Sequence, residues 1–410
     1  MQETVTRRGP SSIRTLLLRL AYPSRVSYYE DWHDAFVDSP DFDCTVRNIL
    51  TLTPRELAAE IDTYDAAILL HSCNADTLRY FEPYIGVFAA RKRAKLISFV
   101  GNEFNSLYVS MEKRLRLLQT ASVDLIASQL LQETASYLYH GTGAQILSLP
   151  HALNTKVFRP GPEDDRRTWD VGVRGYRYPP YLGDDQRNAV LDYVATNGSM
   201  LHLTVDIQYD RRLSRDRWAE YLRDCRGTVS SESGSWYLEP TDALMRNIYS
   251  YLSSKRSGWI IKENSFARRL GRLAPMWVKS SLWKILQRGP IRLEVLDDYN
   301  TSFAELEELF FRGTQKSPTY GKAIASRHFD AIGTKTSLIM LRGRFNDILK
   351  ADDHYFAIDQ DFSNADEQLR RFKDAFERKA MVERAYQHIC SEHTYSHRTA
   401  TLRRVLDRVS

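Results

Sequence analysis

An α/β fold with two Rossmann-like, doubly wound parallel-sheet domains facing a cleft is the architecture the sequence predicts, and three observations predict it. Apolar runs of strand length alternate with helical runs from residue 14 to about 150. A stretch rich in proline, glycine and charge, "RPGPEDDRRTWD", then interrupts the rhythm, and the alternation resumes behind it. The chain has 410 residues, more than one ordinary core organises, and its 43% hydrophobic content suffices for two. The expected division is 1–158 for the first domain, 159–169 for a linker, 170–395 for the second domain and 396–410 for a helix end.

The elements follow in order. "RTLLLRLAY" is a strand, "YYEDWHDAFVD" a helix, "CTVRNIL" a strand, and Thr53-Pro54 opens the next helix. "DAAILLH" and "AKLISFVGN" are strands, each followed by a helix, from Asp76 and from Leu107. "VDLIAS", a helix near "LQETASYLY" and the strand "AQILSLPHA" complete the first set. Repeated strand–helix–strand units of this length imply a parallel sheet with helices on both faces. Later strands fall at "WDVGVRG", "MLHLTVDI", "GTVSSE", "SLIML" and "YFAIDQD". Residues 240–320 break the alternation with long helical patterns and are read as a helical insertion in the second domain.

Within that insertion, Lys255 to Arg288 carries nine cations against Glu263 alone, with Trp259, Trp277 and Trp283 interleaved. Such a segment suits either a packed helical face or an anionic membrane surface. The second alternative would hold the protein peripherally on the inner face of a membrane. A formal charge of +5 is modest for this length, and no nucleic-acid partner is expected from it. Four scattered cysteines and the lack of a cleavable leader predict a cytoplasmic location with free thiols.

Several motifs are set aside. "GTKT" at 333–336 follows a helix and precedes a strand, the reverse of a phosphate-binding loop, and lacks the glycine four residues upstream. Neither domain opens with Gly-x-Gly-x-x-Gly, so a dinucleotide cofactor is not supported. "DFD" at 41–43 and "DQD" at 359–361 are three-residue patterns of low specificity. His388, Cys390, His393 and His397 lack an accompanying cysteine pair, and no metal is expected there.

Polar residues at predicted strand ends are the site candidates. In "VGVRGYRYPP", Arg174 and Arg177 stand in a glycine-bearing turn where open sheets contact phosphates. Glu232 follows the strand "GTVSS" and either touches a ligand or caps the next element. In the first domain, His71 ends "ILLH" and Glu103 follows "ISFVGN"; the histidine is the candidate base and Glu103 its rival. The helix "SRHFDAIG", stopped by Gly333, leads into the buried strand "SLIML" and groups Arg327, His328, Asp330, Lys335 and Thr336.

"LSLPHALNTKVFRP" resembles the segment that links the two domains of GT-B glycosyltransferases, and "ASRHFDAIGTKTSLIMLRGRFNDILKADDHYFAIDQDFSN" with the final "SEHTYSHRTATLRRVL" resembles the nucleotide-sugar region of the glycosyltransferase group 1 superfamily. The resemblance implies a GT-B fold and transfer of a sugar from a nucleotide diphosphate sugar to a hydroxyl of a glycan or lipid-linked acceptor, in cell-surface glycan or polysaccharide biosynthesis. An epimerase of the same fold and a non-catalytic sugar-nucleotide-binding protein are the alternatives. Asp330 matches the acid that accepts hydrogen bonds from the donor ribose, one hydroxyl per carboxylate oxygen. Eight residues earlier the superfamily's other acid is replaced by Lys322. Arg327 and Lys335, with His328 and Thr336 beside them, would meet the diphosphate, and Arg174 would offset the charge of the leaving group without a metal.

Overall fold

Leu16, Leu17 and Leu18 are consecutive residues of one strand, and each is fully buried. Successive side chains of a strand point to opposite faces, so this sheet is covered on both sides. The computed structural model describes residues 12–21, 27–75, 77–103, 109–209, 212–255, 259–261, 291–293 and 301–409. Its first sheet comprises β1 (Ile13–Arg19), β2 (Phe42–Asn48), β3 (Ala66–Leu69), β4 (Lys95–Phe99), β5 (Leu125–Ser128) and β6 (Gln145–Ser148). They run parallel in the order β2-β1-β3-β4-β5-β6. Leu16, Leu18, Ala67 and Leu69 pack on one face with Leu57, Phe88 and Leu118. On the other face, Leu17, Ile68 and Ile97 meet Trp32 and Phe36 and, from the far end of the chain, Tyr395, Leu402 and Leu406.

Local chemistry sets the helix starts. Thr53 caps the helix Pro54–Glu60: its hydroxyl accepts the Glu56 N–H over 3.2 Å, and Glu56 accepts the Thr53 N–H over 2.7 Å. Asp76, the expected start of the next helix, lies outside the described residues; the helix that follows is Ile85–Ala90, behind a 3-10 turn at Glu82–Tyr84 that contains Pro83. Leu107, the expected start of the one after it, also lies outside the described residues; that helix is described from Met111, where the Ser110 hydroxyl accepts the Lys113 N–H over 3.0 Å.

The second sheet comprises β7 (Trp169–Arg174), β8 (Val205–Gln208), β9 (Cys225–Ser230), β14 (Ser337–Leu341) and β15 (Phe356–Ile358). All are parallel, in the order β15-β14-β9-β7-β8. The order reverses at β7, and in open sheets the crevice at the carboxyl ends beside such a reversal receives ligands. β8 and β15 are shorter than their apolar runs predict; β15 stops where the Asp359 N–H bonds the Asn364 side chain over 2.9 Å. Two short antiparallel strands, β10 (Ser233–Gly234) and β13 (Lys322–Ala323), bring the chain back beside the point it left. Between them lie the helix Ala243–Ser254 and the parallel pair β11 (Trp259–Ile261) and β12 (Ile291–Leu293). The basic aromatic run from Lys255 to Arg288 otherwise falls outside the described residues. Among the described residues no helix is long and apolar enough to cross a membrane.

Two connections pass between the halves and bond to each other. Leu153 donates to the His393 carbonyl over 2.9 Å, and Tyr395 donates to the Leu153 carbonyl over 3.2 Å. The helix Ser326–Gly333 docks against the first of them. A Cβ on Gly333 would overlap Leu153 Cδ1 and lie 2.8 Å from the Phe158 carbonyl oxygen, so close approach, rather than a left-handed turn, requires glycine here. Gly333→Ala is expected to lower stability by about 1–3 kcal/mol through overpacking, read as a lower urea midpoint at unchanged slope.

Candidate active site

The carboxyl ends of β7 and β9, the start of the Ser326–Gly333 helix and the start of the helix Ser27–Asp38 from the first half enclose a cleft. It consists of two adjoining cavities of about 180 and 380 Å³. Tyr28, Tyr176, Tyr178, Arg212, Ser326 and Arg327 line both and mark their junction.

Ser230, the last residue of β9, anchors the cationic wall. Its hydroxyl accepts from Arg327 Nε over 2.7 Å and from Arg187 over 3.2 Å, and it lies 3.0 Å from His328 Nε2. Arg327 also donates to the Ser231 carbonyl over 2.9 Å, to Ser233 over 3.1 Å and to the Tyr178 hydroxyl over 3.2 Å. Arg187 is 4% exposed, lies over the Tyr178 ring and leaves its Nε without a partner. Among the described residues neither guanidinium has an ion pair with a carboxylate. Burial, and then the Arg327 charge, push the Arg187 pKa down to about 9. Burial works to raise the Tyr178 phenol, but Arg327 and Arg187 outweigh it and bring the group down to about 8. His328 is held neutral by burial and by the same two arginines, and its Nδ1 accepts the Ala325 N–H over 3.1 Å. Buried positive charge without a counter-ion is costly, and an anion at this wall would relieve it.

Asp330 lies on the floor of the smaller cavity, 1% exposed. Trp218 Nε1 donates to its Oδ2 over 3.1 Å, Ser27 also bonds the carboxyl, and Oδ1 has no protein partner. One oxygen is therefore open, where the sequence reading gave one to each of two hydroxyls. Burial, and then the nearby Asp31 carboxylate, raise the Asp330 pKa well above the usual range. Lys322, at the position of the missing acid, is 1% exposed and turns away from the cleft to Asp184 at 2.7 Å, over the Trp236 ring.

The remaining candidates are placed as follows. Arg174 lines the smaller cavity, but its charge is taken by Asp206, and it stacks on Tyr221. Arg177 pairs with Asp192 and stacks on Tyr209. Glu232 accepts from the Tyr320 hydroxyl over 2.5 Å and from the Phe345 N–H over 2.6 Å, so it ties β9 to the turn at 343–347. Lys335 reaches Glu383 at 2.6 Å, and Thr336 donates to the Leu222 carbonyl over 2.7 Å; neither lines the cleft. Glu103 lines the larger cavity but is buried, accepting from Ser128 over 2.6 Å, and burial raises its pKa. His71 is 1% exposed, packs against Tyr28, Tyr29 and His151, and has no partner at either ring nitrogen. Burial keeps it neutral, and the cleft-lining histidine on this side is His151.

Arg187, Ser230 and His151 escaped the sequence reading. Arg187 left a signal: it shares the spacing of Val190, Leu191 and Val194 on the buried face of the helix Gln186–Asn197, where a cation is out of place. Near the C-terminus, the ligand atoms of His388, Glu392 and His393 lie within 4.8 Å of one another, without Cys390 or His397. Arg398 already donates to His393 Nδ1 there over 3.2 Å.

Residues 283–404 match the family model described as glycosyl transferase-like. A sequence search of curated proteins finds no match. Among solved structures, an alpha-glucosyltransferase in complex with UDP-glucose and DNA containing an abasic site has 11% identity and a TM-score of 0.53, covering 97% of this chain and 100% of that one. Anabaena Alr3699/HepE in complex with UDP-glucose has 9% identity and a TM-score of 0.47, over 97% of this chain and 100% of that one. Sucrose-phosphate synthase (tll1590) from Thermosynechococcus elongatus has 12% identity and a TM-score of 0.45 with the same coverage. The likeness to the glycosyl transferase-like family covers residues 283–404, and the alpha-glucosyltransferase shares the fold. The two Rossmann-like halves facing a cleft have the GT-B fold. One expectation is corrected: the alpha-glucosyltransferase that shares this fold is in complex with DNA, so neither the fold nor a modest net charge excludes a nucleic-acid partner.

Proposed function

We propose that the chain transfers a glycosyl group from a nucleotide diphosphate sugar to a hydroxyl acceptor, with the nucleoside in the smaller cavity, the diphosphate at Arg187 and Arg327, and the sugar and acceptor in the larger cavity. The single observation that carries this reading is the pair of guanidiniums without a carboxylate, Arg187 buried and Arg327 half-buried, beside a helix start and two strand ends. A diphosphate is the anion whose size and charge answer such a wall. Asp330 supports a ribose contact through its open oxygen. Asn102, Gln129, Ser233 and Ser326 give the larger cavity a polar lining suited to a glycan acceptor, and glycan assembly is the setting we propose. A cytoplasmic site of action accords with four cysteines outside any disulfide.

A panel of nucleoside diphosphates in a thermal-shift assay tests the donor site, since a ligand bound only by the native state raises the midpoint. Asp330→Ala is expected to weaken nucleoside diphosphate binding by on the order of 1–3 kcal/mol. Unchanged affinity in the folded variant would remove Asp330 from the site. Donor turnover measured with and without acceptor separates a transferase from an epimerase or a binding protein.

Transfer is expected to proceed without a divalent metal, because the two guanidiniums supply the positive charge that a cation would bring. Activity is expected to survive chelation by EDTA. Loss on chelation with recovery in manganese would overturn this.

A further inference from the structure

His151 stands on the first-half wall of the larger cavity, in the connection that follows β6. Its Nδ1 accepts the indole N–H of Trp32 over 3.2 Å. An indole nitrogen donates and does not accept, so Nδ1 carries no proton and the neutral ring keeps its one proton on Nε2. Trp32 is held in place by Phe36, Phe99 and Tyr395, at ring separations of 6.2, 4.8 and 5.0 Å. Behind the imidazole, Arg398 donates to the Pro150 carbonyl over 2.9 Å and to the His151 carbonyl over 3.3 Å. A fixed cation there opposes a second proton on the ring. Burial, followed by Arg398, brings the His151 pKa down to about 3. Tyr28 and His71 flank the other edges at 5.4 and 5.7 Å, and burial keeps His71 neutral. Nε2 has no acceptor among the described residues.

We infer that His151 is a sugar-binding residue: a tautomer locked by Trp32 whose Nε2–H donates to a hydroxyl oxygen of the transferred glycosyl group. This rests on the reading that the larger cavity receives the sugar. His151 lines that cavity from the first half of the chain, and Arg327 and Ser326 line it from the second, so a glycosyl group extending from the diphosphate into the cavity would meet it. A neutral donor of fixed direction favours sugars that present an acceptor oxygen at that point and disfavours deoxy analogues. It transfers no proton: Nδ1 is occupied, and Nε2 already holds the hydrogen it offers. The assignment makes His151 a discriminator among sugars rather than the base of the reaction.

Two measurements on the full chain test it. In ring-nitrogen NMR, with the signal assigned through His151→Gln, His151 is expected to remain the neutral Nε2–H tautomer from about pH 5.5 to about 8.5. An imidazolium or an Nδ1–H tautomer in that range overturns the inference. Trp32→Phe is expected to release Nδ1 and let the ring change tautomer; should that variant not fold, the wild-type spectrum decides. In calorimetry with UDP and UDP-glucose as probes, His151→Phe is expected to bind UDP as wild type does. It is expected to lose the extra affinity conferred by the sugar, roughly three- to tenfold, with partial recovery in His151→Gln. Equal weakening of both ligands, or none, overturns the inference. Absence of wild-type binding to either probe and to the nucleoside diphosphate panel overturns the donor-site reading with it, and the UDP arm distinguishes that result from a failure at His151 alone.

Discussion

Replacing Arg187 with methionine is expected to raise the thermal midpoint of the unliganded protein while abolishing most of its stabilisation by a nucleoside diphosphate. The two effects have opposite signs because one guanidinium causes both. Its pKa is pushed from 12.5 down to about 9, which at about 1.4 kcal/mol per pH unit bounds the cost of holding the charge at roughly 5 kcal/mol. The bond to Ser230 and the stacking on Tyr178 return part of that. A methionine fills much of the volume without the charge, and a net gain of roughly 1–3 kcal/mol is expected. Removal of one partner from a buried, hydrogen-bonded contact to a phosphate is expected to weaken nucleotide binding by about 2–4 kcal/mol. Differential scanning fluorimetry with and without ligand, followed by calorimetry, reads both. A variant that is less stable and binds nucleotide normally would make Arg187 a structural residue.

Stability is expected to fall as pH rises from about 4 towards about 7, and Asp31→Asn is expected to flatten that fall. Asp31 is buried in the helix Ser27–Asp38, with Oδ1 accepting from Asn154 over 2.7 Å and from Arg215 over 3.1 Å. Burial outweighs the Arg215 charge and pushes the carboxyl up to about 7 from 3.8. Its Oδ2 has no partner, and the Asp330 carboxyl of the other half feels its charge. A carboxyl raised on folding contributes stability that is fully present below the unfolded value of 3.8 and is lost as pH passes the folded value of about 7. The swing is bounded at about 4 kcal/mol at 1.4 kcal/mol per pH unit. Asparagine keeps the shape and removes the ionisation, and Arg215 retains Asp34 at 2.6 Å. Urea midpoints at pH 5 and pH 8 decide it: equal slopes with pH in wild type and variant would show that Asp31 ionises freely.

The repeated periodicity made both sheets legible, because strands buried on two faces read as continuous apolar runs, as "AAIL" and "SLIML" do. Thr53 was legible because a cap restricts the residue type locally, whereas Gly333, read as a helix stop, is the last residue of its helix and is required by the close approach of Leu153 and Phe158. Arg327, His328 and Asp330 fall together at one cavity because a single helix start carries them. What sequence did not disclose is the partner each charge finds across the fold. Arg174 is answered by Asp206 on the neighbouring strand, and Lys335 by Glu383, forty-eight residues downstream. Arg187 was overlooked for the converse reason: a cation on an apolar face finds no carboxylate, and only the packed structure reveals that vacancy in its ion pairing.

The terminal helix Tyr395–Val409 belongs by sequence to the downstream part of the chain and by packing to the upstream sheet, where Leu402 and Leu406 join Leu17 and Ile68. The strand bridge between Leu153 and Thr394 brings both crossings to one place. A single cut within 159–169 would leave two interlocked fragments instead of two separable lobes, since the downstream piece still buries its tail in the upstream one.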